Sequence, residues 1–158
     1  MRKSILALIA LPLIALGTAA SAREAMKWMP KVDPDTTNVV LFYGVPDSSN
    51  HAFFFDCHMV TGRLGFTTPA AEKRAGSGIP IALAAGRGSL GVSGNTQWNE
   101  MDEAFDVVAT PLRPEPMKQI FASREDLRVT YRRRLTTYPL DANFRAAYAV
   151  FARHCPSL

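Results

Sequence analysis

The chain has 158 residues, 47% of them hydrophobic and 20% charged, with a formal net charge of +4. That length suits one domain with a substantial core, and the hydrophobic share excludes a disordered chain. So mild a positive balance gives no ground for a nucleic-acid partner.

Arg2 and Lys3, the apolar run Ile5 to Leu16 and Ala20-Ser21-Ala22 together have the form of a secretory signal peptide with an A-x-A cleavage site. Cleavage is expected after Ala22. The apolar run is interrupted by Pro12 and ended by Gly17, so it is too short to span a membrane, and no later segment reaches that length. No cysteine follows it to carry a lipid anchor. The expected location is the periplasm, or outside the cell, where disulfides form. Residues 1–22 are therefore read as leader, 23–37 as a lead-in broken by Pro30 and Pro34, and 38–158 as a single β-rich domain.

Val39 to Tyr43 is a strand by composition, followed by a loop of turn residues from Gly44 to Asn50. His51 to Cys57 is the next strand, with His51, Phe53, Phe55 and Cys57 on one face and Ala52, Phe54, Asp56 and His58 on the other. A turn at Thr61-Gly62 leads to a strand at Arg63 to Thr67, completing a meander. After a polar loop from Thr68 to Gly78, Ile79–Ala85 and Ser89–Ser93 form a hairpin turned by Gly86-Arg87-Gly88. Thr96 to Asn99 continues or edges the sheet, and Ala104 to Ala109 is another strand.

Pro111, Pro114 and Pro116 mark a boundary before a short helical stripe at Met117, Ile120 and Phe121. Leu127 to Arg132 alternates, with Leu135 to Leu140 as its hairpin partner. Asp141 is the expected N-cap of a final helix, which Pro156 follows. The sum is seven or eight antiparallel strands, a β-sandwich or small barrel, with a C-terminal helix packed against it.

Cys57 and Cys155 are the only two cysteines. Phe144, Tyr148, Phe151 and Cys155 fall on one helical stripe, which the phenylalanine face of the cysteine strand can meet. A Cys57–Cys155 disulfide between helix and core strand follows. Cys57-His58 and His154-Cys155 also suggest a Cys2His2 metal site. Adjacent residues diverge on both strand and helix, however, and no C-x2-C spacing is present, so no metal is assigned. Nor is any cofactor: Gly86 to Gly91 lacks the lysine of a phosphate loop, and neither Cys-His pair forms a haem-attachment motif.

Three polar groups remain as candidates. Asp56 and His58, two apart on one face, are an acid–imidazole pair of the kind that begins a hydrolase site, but no nucleophile elbow accompanies them. Glu100 and Asp102, with Glu103 and Asp106, form the densest acidic group, beside Trp98, whose ring could stack on a sugar. Arg128, Arg132, Arg133 and Arg134 lie in a segment, 113–158, that carries nine Arg and Lys against four acids. They are the expected contact for an envelope protein or an anionic envelope polymer, or else charges that guard a sheet edge.

Taken together, Leu41 to Ser48, Phe53 to Cys57, Gly62-Arg63-Leu64 and the ending Phe144 to Cys155 resemble a group of small exported proteins of alphaproteobacteria, many from sphingomonads, whose function is uncharacterised. More distantly the chain resembles the exported proteins called invasion-associated locus B. The resemblance implies a β-rich domain with one disulfide and brings no functional residues with it. The function expected from the sequence is a non-catalytic binding or interaction module. An envelope hydrolase using the acids and histidine is the alternative, and an inhibitor or immunity-type protein the second.

Overall fold

Alternating and β-branched segments become nine strands in a computed structural model, which describes residues 25–158 except 34, 49 and 72. The expected leader, 1–22, lies outside the described residues. The strands are β1 (Lys27–Asp33), β2 (Asn38–Gly44), β3 (His51–His58), β4 (Leu64–Pro69), β5 (Ile79–Ala85), β6 (Gly88–Asn99), β7 (Ala104–Leu112), β8 (Leu127–Tyr131) and β9 (Arg134–Tyr138). The helices are α1 (Pro114–Ala122) and α2 (Ala142–His154). All strand pairs are antiparallel, in the order β1-β2-β3-β4-β7-β6-β5-β8-β9. This is one curled sheet, a half-barrel rather than a two-layer sandwich.

Its inner face holds the core. Phe53, Phe55 and Cys57 are buried from β3 as their spacing requires, and Phe121 of α1 sits 5.1 Å, ring to ring, from Phe55. Phe121 also meets Phe144, Tyr148 and Phe151 of α2, so one ring joins both helices to the sheet. The Cys57–Cys155 disulfide closes the same contact over a sequence separation of 98. Asp141 caps α2, its carboxylate accepting from the Phe144 N–H at 3.0 Å. Arg145, in the first turn of α2, donates to the Phe121 and Ser123 carbonyls at the end of α1 and to the Leu140 carbonyl. A guanidinium there satisfies carbonyls that the helix leaves without partners.

Three features differ from the sequence expectation. The lead-in contains β1, which pairs with β2 along its whole length. Trp28, only 1% exposed, anchors it: its indole donates to the Pro139 carbonyl at 2.6 Å, and its backbone N–H to Asn143 at 2.7 Å. Pro30 is tolerated because β1 is a terminal strand, where a missing N–H breaks no second ladder. Second, β3 carries a bulge: Tyr43 faces Phe53 but Gly44 faces His51, which skips Ala52. The bulge moves His51 off the core face, and its ring lies 5.6 Å from that of Phe54. Third, β7 continues through Pro111, whose peptide with Thr110 is cis, and Pro114 opens α1 instead of marking a break.

Candidate functional site

The outer face of β5, β6 and β8 is built of small side chains. In register across the three strands stand Thr130, Ala82 and Gly91, and beside them Pro80 faces Ser93. No side chain on this floor rises far above the sheet. The result is a trough of about 550 Å³, whose lining includes Pro80, Ala82, Gly91, Ser93, Thr130 and Arg133, with Ile81 and Val92 between them. Arg128 opens onto the same outward side one row away, opposite Ala84 of β5 and Thr137 of β9. Leu135, 58% exposed, faces Thr130.

Arg133 reaches this trough because of the turn that precedes β9. Tyr131 pairs directly with Arg134, leaving Arg132-Arg133 as a two-residue hairpin loop. Both residues have positive φ, 50° and 64°, the primed-turn geometry usually given to Asn and Gly. Arg132 is thus a turn residue rather than a continuation of β8. Residues 132–137 are all exposed, and β9 ends the sheet. Among the described residues no carboxylate lies within ion-pairing distance of Arg128, Arg133 or Arg134. All four arginines singled out in the sequence therefore belong to one hairpin.

Asp56 and His58 share a face of β3 but do not form a dyad. Both nitrogens of His58 are engaged elsewhere, Nε2 with the Thr37 hydroxyl at 3.2 Å and Nδ1 with the Thr61 N–H at 3.2 Å. Its role is to tie two turns together. Asp56 lies across the strand pair from Gly65, whose missing side chain leaves room for the carboxyl group: a Cβ there would stand 2.9 Å from Oδ2. Burial raises the Asp56 pKa, opposed by its own backbone N–H and by Arg63. The His58 ring is therefore turned to Thr37 and Thr61 and not to Asp56.

Glu100 and Asp102 sit in the exposed turn between β6 and β7. Asn99 organises it, donating to Asp102 at 3.0 Å and Asp106 at 2.9 Å while accepting from the backbone N–H of Met101 and of Asp102. Among the described residues no group of three or more His, Cys, Asp or Glu side chains is arranged to hold a metal ion. The surroundings of the exposed Trp98 were legible only through the tryptophan itself, because the loop that walls them comes from between β4 and β5.

The disulfide points to a non-reducing environment. No described helix is long and apolar enough to cross a membrane. Compared with protein-family models, with curated proteins and with solved structures, the chain matches none of them.

Proposed function

We propose that the chain is an exported, periplasmic, non-catalytic binding module that takes an extended anionic chain on the outer face of β5, β6 and β8. The observation that carries this reading is Arg133 lining, and Arg128 one row away from, a trough floored by proline, alanine, glycine, serine and threonine. A flat floor admits a chain along the strands. Guanidinium groups beside it can take carboxylate or phosphate in two-pronged hydrogen bonds. The ligand is an acidic segment of an envelope protein or an anionic envelope polymer, which share this chemistry.

The test is a fluorescence-anisotropy titration with labelled poly-glutamate and, separately, with an acidic polysaccharide such as polygalacturonate. Replacing Arg128, Arg133 and Arg134 together by Gln should weaken binding by about tenfold or more, roughly 1.4 kcal/mol, with the melting temperature unchanged. Added salt should weaken the wild type more than the variant, because exposed charges are screened. Equal affinities for wild type and variant would remove the reading. Which of the two probes binds distinguishes protein from polysaccharide.

A further inference from the structure

We infer that the corner made by Trp98 and Phe105 is a saccharide-binding subsite that takes one neutral pyranose ring of a glycan. This rests on reading the chain as a binding module but is independent of the arginine trough. Trp98 is the last residue but one of β6 and Phe105 the second of β7, and the two are paired across the ladder. Their rings lie 5.2 Å apart at 73°. Trp98 is 54% exposed, whereas Trp28 is buried beneath α2. A large aromatic left open to water at the mouth of a hollow is poorly explained by core packing.

The hollow measures about 450 Å³, within the range of about 300–1,000 Å³ common to small-ligand sites. Ala70, Ala71 and Ala104 wall it with methyl groups, and Lys73 and Glu103 stand at its rim. The wall is held in place: the Ala70 N–H donates to the Phe105 carbonyl at 2.8 Å and the Ala71 N–H to the Tyr131 hydroxyl at 3.2 Å. Further along the same loop, Gly76 accepts from the Thr96 N–H at 2.9 Å. A preformed wall lowers the ordering cost of binding.

The chemistry selects a sugar. An indole face suits the C–H face of a pyranose, small wall residues let the ring approach, and a donor and an acceptor at the rim suit its hydroxyl groups. Charge narrows the choice. Lys73 and Glu103, the two charged residues that line the hollow, offset each other, and Glu100, Asp102 and Asp106 nearby disfavour an anion. A neutral ring, plain or N-acetylated, answers both.

The experiment uses the full chain as exported. With two tryptophans, it has two indole N–H resonances, and buried Trp28 serves as the internal control. Titration with tri-N-acetylchitotriose and with cellotriose should shift the Trp98 indole resonance saturably and leave that of Trp28 in place. Trp98→Ala should weaken sugar binding, followed at the Phe105 backbone amide, by about tenfold or more. The triple arginine variant should keep its sugar response, and Trp98→Ala its polyanion response, so either reading can fall without the other. A Trp98 resonance unmoved by both sugars at their solubility limit would overturn the assignment. So would a Trp98 response to poly-glutamate in place of sugar, or sugar binding of undiminished affinity in Trp98→Ala.

Discussion

Asp56 occupies a place that suits its neutral form better than its ionised one. Val40 and Gly65 flank it on neighbouring strands, and burial outweighs the pull of its own N–H and of Arg63. The native protein therefore holds this proton over a pH range in which the unfolded chain has lost it. Its contribution favours folding at low pH and is lost as pH rises from the ordinary value of 3.8 through the raised native value. Asp56→Asn should be more stable than wild type at neutral pH, with the gap closing on acidification. Melting temperatures of both proteins across the acidic range would show it, and a gap that widens toward low pH would contradict it.

Arg145 shows how composition alone can mislead about charge. It contributes to the basic tally of residues 113–158, yet its guanidinium is spent on the carbonyls of Phe121, Ser123 and Leu140. Arg145→Ala should cost about 1.5–3 kcal/mol, the range for hydrogen bonds to a charged donor. Arg145→Lys should recover little, because an ammonium cannot fork between separate carbonyls. Urea unfolding of the three proteins would measure both effects.

At the scale of elements, the β8–β9 hairpin trades stability for charge. A non-glycine residue in the left-handed region costs on the order of 1 kcal/mol, and Arg132 and Arg133 both occupy it. Replacing Arg132-Arg133 by Asn-Gly should stabilise the protein by about 1 kcal/mol and weaken polyanion binding at the same time. Thermal unfolding paired with anisotropy titration checks the two halves together. Stabilisation with unchanged binding would leave Arg133 without its assigned role.

The β6–β7 hairpin works differently, its turn organised by the Asn99 side chain rather than by glycine. At the junction of β6 and α1, Gly88 permits a close approach: a Cβ there would lie 2.6 Å from the Ile120 nitrogen. Helix α1 can therefore lie directly on the sheet and deliver Phe121 to the core.

The described residues form a curled sheet packed on two helices and stapled by one disulfide. In the chain-entropy account, a closed loop of about 100 residues stabilises by about 4–5 kcal/mol. Substituting both cysteines by alanine should lower stability by that order without changing the binding surface, since both sulfurs are buried in the core. Denaturant unfolding of the oxidised protein and of the double variant would measure it.

Much of this plan was legible in the sequence. Period-two alternation marked Phe53, Phe55 and Cys57 as the core face of β3, and helical spacing marked Phe144, Tyr148, Phe151 and Cys155 as its partner stripe. Strand β1 was not legible because Pro30 argues against a strand unless its terminal position in the sheet is already known. The displacement of His51 depends on a bulge that only the pairing with Tyr43 and Gly44 reveals. For the candidate surfaces, the arginines could be read but their trough could not. Its floor is assembled from Pro80, Ala82, Gly91 and Ser93, which carry no chemical signature in sequence.

The most direct test of the central claim is the location of polyanion binding on the folded domain. Backbone amide shifts recorded during titration with poly-glutamate and with polygalacturonate would locate it. The account predicts that at least one of them moves Ala82, Gly91, Arg128, Thr130, Arg133 and Leu135, with residues around Asp56, His58 and Trp98 left in place. Shifts gathered around Asp56 and His58, or no saturable shifts with either polymer, would contradict it.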